Sequence, residues 1–208
     1  MARVVVHAGA ALRRDGFPLE FIVMPRIEPK PLQAYPWYLR WLFKRQIRRL
    51  GGAVVPMQVW GRAPVLLRRF LALFRAFERR SSPVDPVLRA LVTVRVSQIN
   101  HCAFCVDFNA HRVLKLGGAE AKLNALADAA SSTAFSEAEK AALAYAEAVT
   151  RSDREVTDEL FSSLKNHYSD NAIVELTGLI AFQNMSSKFN AALDIPAQGF
   201  CQVQLAND

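Results

Sequence analysis

Apolar residues recur at helical spacing along most of the chain. Over 36–50, Leu39, Leu42, Phe43, Ile47 and Leu50 share one face, with Arg40, Lys44, Arg45 and Arg48 opposite. Gly51 and Gly52 stop that helix. A second helix is expected over 63–79, because Pro64 suits a first turn. Its Phe70, Phe74 and Phe77 form a stripe at i, i+4 and i+7, which reads as core packing. Segment 86–100 is divided. Asp85 and Pro86 resemble a cap and a first helical residue, but the run LVTVRV is β-branched and favours a strand. Propensity alone leaves helix and strand about even there.

Downstream the signals are helical again. One helix begins near Cys102 and ends at Gly117 and Gly118, and 119–129 follows. Ser136 and Glu139 have the spacing of a capping box for 137–150. Thr157, with Asp158 and Glu159 behind it, opens another helix in a way that suits the dipole. Ser169 or Asp170 opens a last, long one to about Ala192, before Pro196 and Gly199. The pattern predicts an all-α fold of about seven helices.

The beginning of the chain reads differently. Pro29, Pro31 and Pro36 mark an extended lead-in. The stretch MARVVVHAGAAL loosely resembles a signal peptide, but His7 breaks it and Arg13, Arg14 and Asp15 follow. Residues 1–23 are therefore expected to be a poorly ordered arm or an upstream extension, since MPRIEP from Met24 reads like a natural start. Residues 24–208 are expected to form a single helical domain.

Composition changes the picture little. A hydrophobic share of 51% supplies a core and a charged share of 22% argues against disorder. No run is apolar enough to span a bilayer, so a cytoplasmic protein without a membrane partner is expected. The net charge of +7 is uneven. Residues 1–80 hold 16 Lys and Arg against 4 Asp and Glu, and residues 81–208 hold 10 against 15. A basic half could attract nucleic acid or an acidic membrane. No nucleic-acid motif accompanies the charge, so a basic helical layer facing an acidic one is preferred.

The chemistry is concentrated in Cys102-Ala103-Phe104-Cys105. At a helix start, free backbone N–H groups and the dipole stabilise a thiolate. A CxxC thiol in that setting has a lowered pKa, and the thiolate is the nucleophile. One turn brings the sulfurs within bonding reach. One can attack a peroxide or disulfide while the other resolves the product to an intramolecular disulfide. Zinc would need two further ligands, and His101 and His111 do not form a second pair, so no metal is expected. Covalent haem needs His after the second Cys, where Val106 stands. Inert buried thiols stay open as an alternative. Asn109 falls on the face of Cys105 but cannot exchange a proton near neutral pH. Asp107 and His111 point elsewhere, whereas His101, just before Cys102, could reach it.

The run VRVSQINHCAFCVDFNAHRVLKLGG resembles the signature helix pair of the alkylhydroperoxidase D / carboxymuconolactone decarboxylase family. FSEAEKAALAYAEAVTR, VTDELF and IVELTGLIAFQNMSSKFNAALDIP resemble its later helices, so the likeness covers roughly residues 24–200. It implies an AhpD-like helical bundle and makes 86–100 a helix. From the family's peroxidases it implies that Cys105 is the peroxidatic thiol and Cys102 the resolver. It also implies a proton relay of a Glu twelve residues before the first Cys and a His four after the second. Here Ala90 and Asn109 occupy those positions, and Phe104 stands where His is sometimes found.

The expectation is a cofactor-free thiol peroxidase or disulfide oxidoreductase in antioxidant defence, with Cys105 and Cys102 as catalytic pair and His101 and Asn109 as supporting candidates. A dithiol such as a lipoyl protein or thioredoxin would recycle it, and a homo-oligomer is expected. The alternative is a non-catalytic redox sensor or assembly protein of the same fold, since the relay is missing. Cys201 has no assigned role.

Overall fold

The computed structural model describes residues 24–201. A 3-10 turn at Leu32–Ala34 precedes α1 (Trp37–Leu50), α2 (Val55–Trp60), α3 (Pro64–Phe77), α4 (Pro86–Ile99) and α5 (Ala103–Lys115). Then come α6 (Glu120–Asn124), α7 (Glu137–Thr150), α8 (Asp158–Lys165) and α9 (Asp170–Ala192). No strand occurs among the described residues. The all-α expectation holds. Among the described residues the α-helices number nine rather than about seven, and the short α2 is the helix that periodicity had not marked. The N-terminal arm expected over 1–23 lies outside the described residues.

Segment 86–100 is α4. Asp85 starts it by accepting from the backbone N–H groups of Val87 at 2.8 Å and Leu88 at 3.0 Å, and Pro86 needs no hydrogen bond in the first turn. Every residue from Leu88 to Ser97 is buried. A helix covered on all sides is a central one, and α4 packs against α5, α7 and α9. Its β-branched side chains are favourable because they fill space on every face, which outweighs their weak helix propensity. Arg95, buried in α4, is met by Glu147 at 2.7 Å. A buried charge is tolerated when so paired.

The caps read from sequence form at the other ends. Gly51 ends α1 in the left-handed conformation at φ 75°. Ser136 and Glu139 make the reciprocal capping box of α7. Burial pushes the Glu139 carboxyl up, but hydrogen bonds from Lys122 and Ser136 and the Lys122 charge outweigh it and hold the group below the usual carboxylate range.

The core has two parts. One surrounds α4, α7 and α9. The other lies between α1, α2, α3, the start of α5 and the end of α9, and contains both cysteines of the pair. Tyr35 ties the lead-in to this second part. Its hydroxyl accepts from the Lys30 N–H and donates to the Gln58 carbonyl, each at 2.8 Å. The basic face of α1, with Arg40, Lys44, Arg45 and Arg48, is exposed. Among the described residues no helix is long and apolar enough to cross a membrane.

Candidate active site

The site begins where α4 turns into α5. His101 takes the left-handed conformation at φ 52°, so the chain reverses within two residues. Asn100 anchors this turn to α9, donating to Asn184 at 2.9 Å and Ser187 at 2.8 Å. Cys102 is thereby set as the N-cap of α5, and its sulfur accepts from the Cys105 N–H at 3.2 Å. Cys105 follows one turn later. The two are joined as a disulfide, with Cα atoms 5.2 Å apart. Their side chains face each other at the helix mouth, as the spacing requires.

Both cysteines are nearly covered by protein, Cys102 being 1% and Cys105 3% exposed. They differ in what they touch. Cys105 lines a cavity of about 150 Å³, whereas Cys102 is not part of its wall. The wall is largely aromatic, with Trp60, Phe70, Phe74, Phe104, Phe108 and Phe182. Trp60 stacks between Phe189, ring centroids 3.7 Å away, and Phe70 at 5.0 Å, and Phe70 stacks in turn on Phe182 at 4.9 Å. The Phe stripe of α3 is thus core packing at two of its positions and cavity wall at the same time.

Five polar side chains interrupt this surface: Gln46, Asn109, Gln183, Ser186 and Asn190. Asn190 Nδ2 donates to the Cys105 sulfur at 3.2 Å. Gln183 donates to Ser97 at 2.8 Å, and the Ser97 hydroxyl donates in turn to the Thr93 carbonyl at 2.6 Å. Asn109 accepts from Arg112 at 3.1 Å, and Arg112 pairs with Glu78.

Of the residues read from sequence, Cys105 and Asn109 meet at the cavity and Cys102 stands directly behind. His101 does not join them. It is exposed at the turn and absent from the cavity wall, because its left-handed backbone turns it outward from the helix mouth. Ala90 is fully buried in the other core cluster and is absent from the cavity wall that Asn109 lines. Sequence reasoning missed Asn190, Gln183 and Trp60. A signal for the first two existed: Gln183, Ser187 and Asn190 recur at i, i+4 and i+7 on one face of α9. No group of His, Cys, Asp or Glu among the described residues could hold a metal ion.

Asp107 has a structural task. Its carboxylate accepts from the backbone N–H of Gln198 at 2.8 Å and of Cys201 at 2.6 Å. Gln198 also bridges to Val55 and Ala53. The segment after α9 is thereby strapped across α5, with Phe200 edge-on to Phe104 and Phe108. Asp107→Ala would leave two donors without their charged acceptor. A loss of about 1.5–3 kcal/mol is expected, with faster proteolysis of residues 196–201. Unchanged denaturation midpoint and cleavage rate would show that the strap is held otherwise.

An all-helical bundle with a Cys-x-x-Cys pair at the start of the helix that follows its central one defines an AhpD-like protein. Residues 64–148 match the model of the carboxymuconolactone decarboxylase family, and the chain belongs to that family. It is 41% identical over 176 residues to the uncharacterized protein YnjA of Escherichia coli (strain K12), covering 83% of this chain and 95% of that protein. Among solved structures it is similar to the debrominase Bmp8, with a TM-score of 0.73 and 25% identity over 84% of this chain and 92% of that one. It is also similar to an Agrobacterium tumefaciens protein of unknown function that has been put forward as the antioxidant defence protein AhpD. There the TM-score is 0.63 and the identity 28%, over 67% and 95% of the two chains.

Proposed function

We propose that this protein is a thiol oxidoreductase that reduces a hydroperoxide or a disulfide in antioxidant defence. Cys105 would be the attacking thiolate and Cys102 the resolving thiol. The observation that carries this reading is the asymmetry of the pair: Cys105 opens on the cavity while Cys102 sits behind it, already within bonding distance. The N–H groups at the start of α5 favour a thiolate. A dithiol carried by a lipoyl protein or by thioredoxin would return the disulfide to the reduced state. Positioned acid–base help is typically worth about 10²–10⁴-fold, so an enzyme with Ala90 and Asn109 at the relay positions is expected to be slower than one with the full relay.

A second reading is reductive dehalogenation of a small aromatic ring. It is favoured by the similarity to a debrominase, a cysteine-to-alanine variant of which has been solved with 2,3,4-tribromopyrrole, and by the aromatic wall around Cys105. The same two electrons would go to a carbon–halogen bond.

The test is stoichiometric. Reduced protein is given one equivalent of cumene hydroperoxide, and thiols are counted. Two of the three should disappear, with Cys102 and Cys105 joined by mass spectrometry and Cys201 free, and added dithiol should sustain turnover. A reversible disulfide without repeated turnover would favour the redox-sensor alternative. Halide release from a brominated pyrrole, with peroxide inert, would favour the second reading. No loss of thiols with any of these would end the redox assignment.

A further inference from the structure

Two buried polar atoms on the cavity wall have no partner among the described residues. One is the Oδ1 of Asn190, an acceptor, and the other the Nε1 of Trp60, a donor. Asn190 is only 3% exposed and Trp60 8%. Buried polar atoms are normally paired, so an orphan acceptor and an orphan donor on one wall, beside a reactive sulfur, call for a ligand bearing both a donor and an acceptor. The remaining wall is aromatic, and an apolar cavity of about 150 Å³ has room for one benzene-sized ring.

We infer that Asn190 is a catalytic residue, and that with Trp60 it restricts the cavity to compact hydroperoxides carrying a single aromatic ring. This rests on the thiol reading above and narrows it. A disulfide has no donor for Asn190. Hydrogen peroxide leaves the aromatic wall uncovered.

The orientation of the amide explains how an Asn serves where a proton relay is missing. Its N–H end holds the Cys105 sulfur, which favours the thiolate. Its carbonyl end faces the O–H of the substrate. The thiolate attacks the terminal oxygen, an S–O bond forms and the O–O bond breaks. The terminal O–H hydrogen never leaves its oxygen. It becomes the O–H of the Cys105 sulfenic acid, so Asn190 binds both ends of the new S–O–H group without exchanging a proton. The departing alkoxide accepts from the Trp60 N–H and takes up from solvent the proton that Cys105 released on ionising. The Cys102 thiol then displaces water from the sulfenic acid. In sum, two thiols and one hydroperoxide become a disulfide, an alcohol and water.

The experiment has a kinetic arm and a binding arm. In the first, reduced wild-type protein is mixed with cumene hydroperoxide or hydrogen peroxide and disulfide formation is followed against pH. The aromatic peroxide should react at least about tenfold faster. Asn190→Ala should slow it by about tenfold or more, the size expected for losing a charge-assisted hydrogen bond, and move the pH midpoint upward. If Asn190→Ala folds poorly, the near-isosteric Asn190→Asp serves, with the same upward shift. Equal rates for the two peroxides, or an unmoved pH midpoint in both variants, would overturn the inference.

In the second arm, 2-phenyl-2-propanol is titrated into Cys105→Ser. A saturable change in indole emission should appear and vanish in the Cys105→Ser, Trp60→Phe double variant, since Trp37 and Trp41 are exposed elsewhere. No saturable change would overturn the ring site. If wild-type protein reacts with no hydroperoxide, the thiol reading falls and the catalytic role of Asn190 with it. The Trp60-dependent signal then decides the ring site by itself.

Discussion

Cys105→Ser is expected to reduce dithiol-dependent hydroperoxide consumption on the order of 10³-fold or more, because the only sulfur of the pair that meets the cavity is removed. Cys102→Ser should behave differently. Its Cys105 can still attack, so one equivalent of peroxide is consumed, but the sulfenic acid has no neighbouring thiol to condense with. Turnover then stops after one cycle, or continues only through the external dithiol. The distinction is measurable as a burst of one equivalent in Cys102→Ser and none in Cys105→Ser. If the burst instead appeared in Cys105→Ser, the roles would be exchanged. There is a physical reason to take that outcome seriously. The Cys102 sulfur is the one that receives a backbone N–H of α5, which favours its thiolate. The Cys105 sulfur has its own donor in Asn190 and meets the cavity, whereas a thiolate behind the wall cannot meet a substrate.

The second large effect concerns the relay position in α4. Ala90 has no exposed surface and belongs to the core cluster around α4, α7 and α9. Ala90→Glu would place a carboxyl inside this apolar core cluster. An uncompensated buried charge costs about 3–5 kcal/mol, or the group stays protonated with its pKa raised. A fall of that size in unfolding free energy is expected by urea denaturation, larger at pH 8 than at pH 5. The sign follows from the shift: a carboxyl whose pKa is raised by folding binds more protons folded than unfolded, so its penalty grows as pH rises through the unfolded value. A variant as stable as wild type at pH 8 would mean that the position reaches water or a cation. Restoring the former relay by substitution is therefore expected to fail on stability before catalysis is at issue.

Much of the site was legible in one dimension. The pair Cys102 and Cys105 stood out by spacing, and the helix start beneath them by the chain around it. Asn109 was placed on the right face by counting four residues. His101, chosen for its adjacency to Cys102, is exposed at the turn and off the cavity wall, where the backbone takes the left-handed conformation. Asp107 read as a bystander and proves to hold the segment 196–201, a partner about ninety residues away. Asn190 lies 85 residues from the sulfur it touches, and no local rule connects them.

The sequence by itself determined most of the helices, their caps and the spacing of the cysteine pair. All three depend on interactions within a few residues: apolar spacing at 3.6 per turn, a side chain returning to a nearby N–H, and two sulfurs one turn apart. The tertiary structure decided whether 86–100 is helix rather than strand, since burial on all sides of α4 outweighs local preference. It also decided which sulfur meets a cavity and which polar groups stand beside it. Those outcomes require α2, α3, α5 and α9 to close around one space, and the free energy that closes them comes from contacts between distant segments.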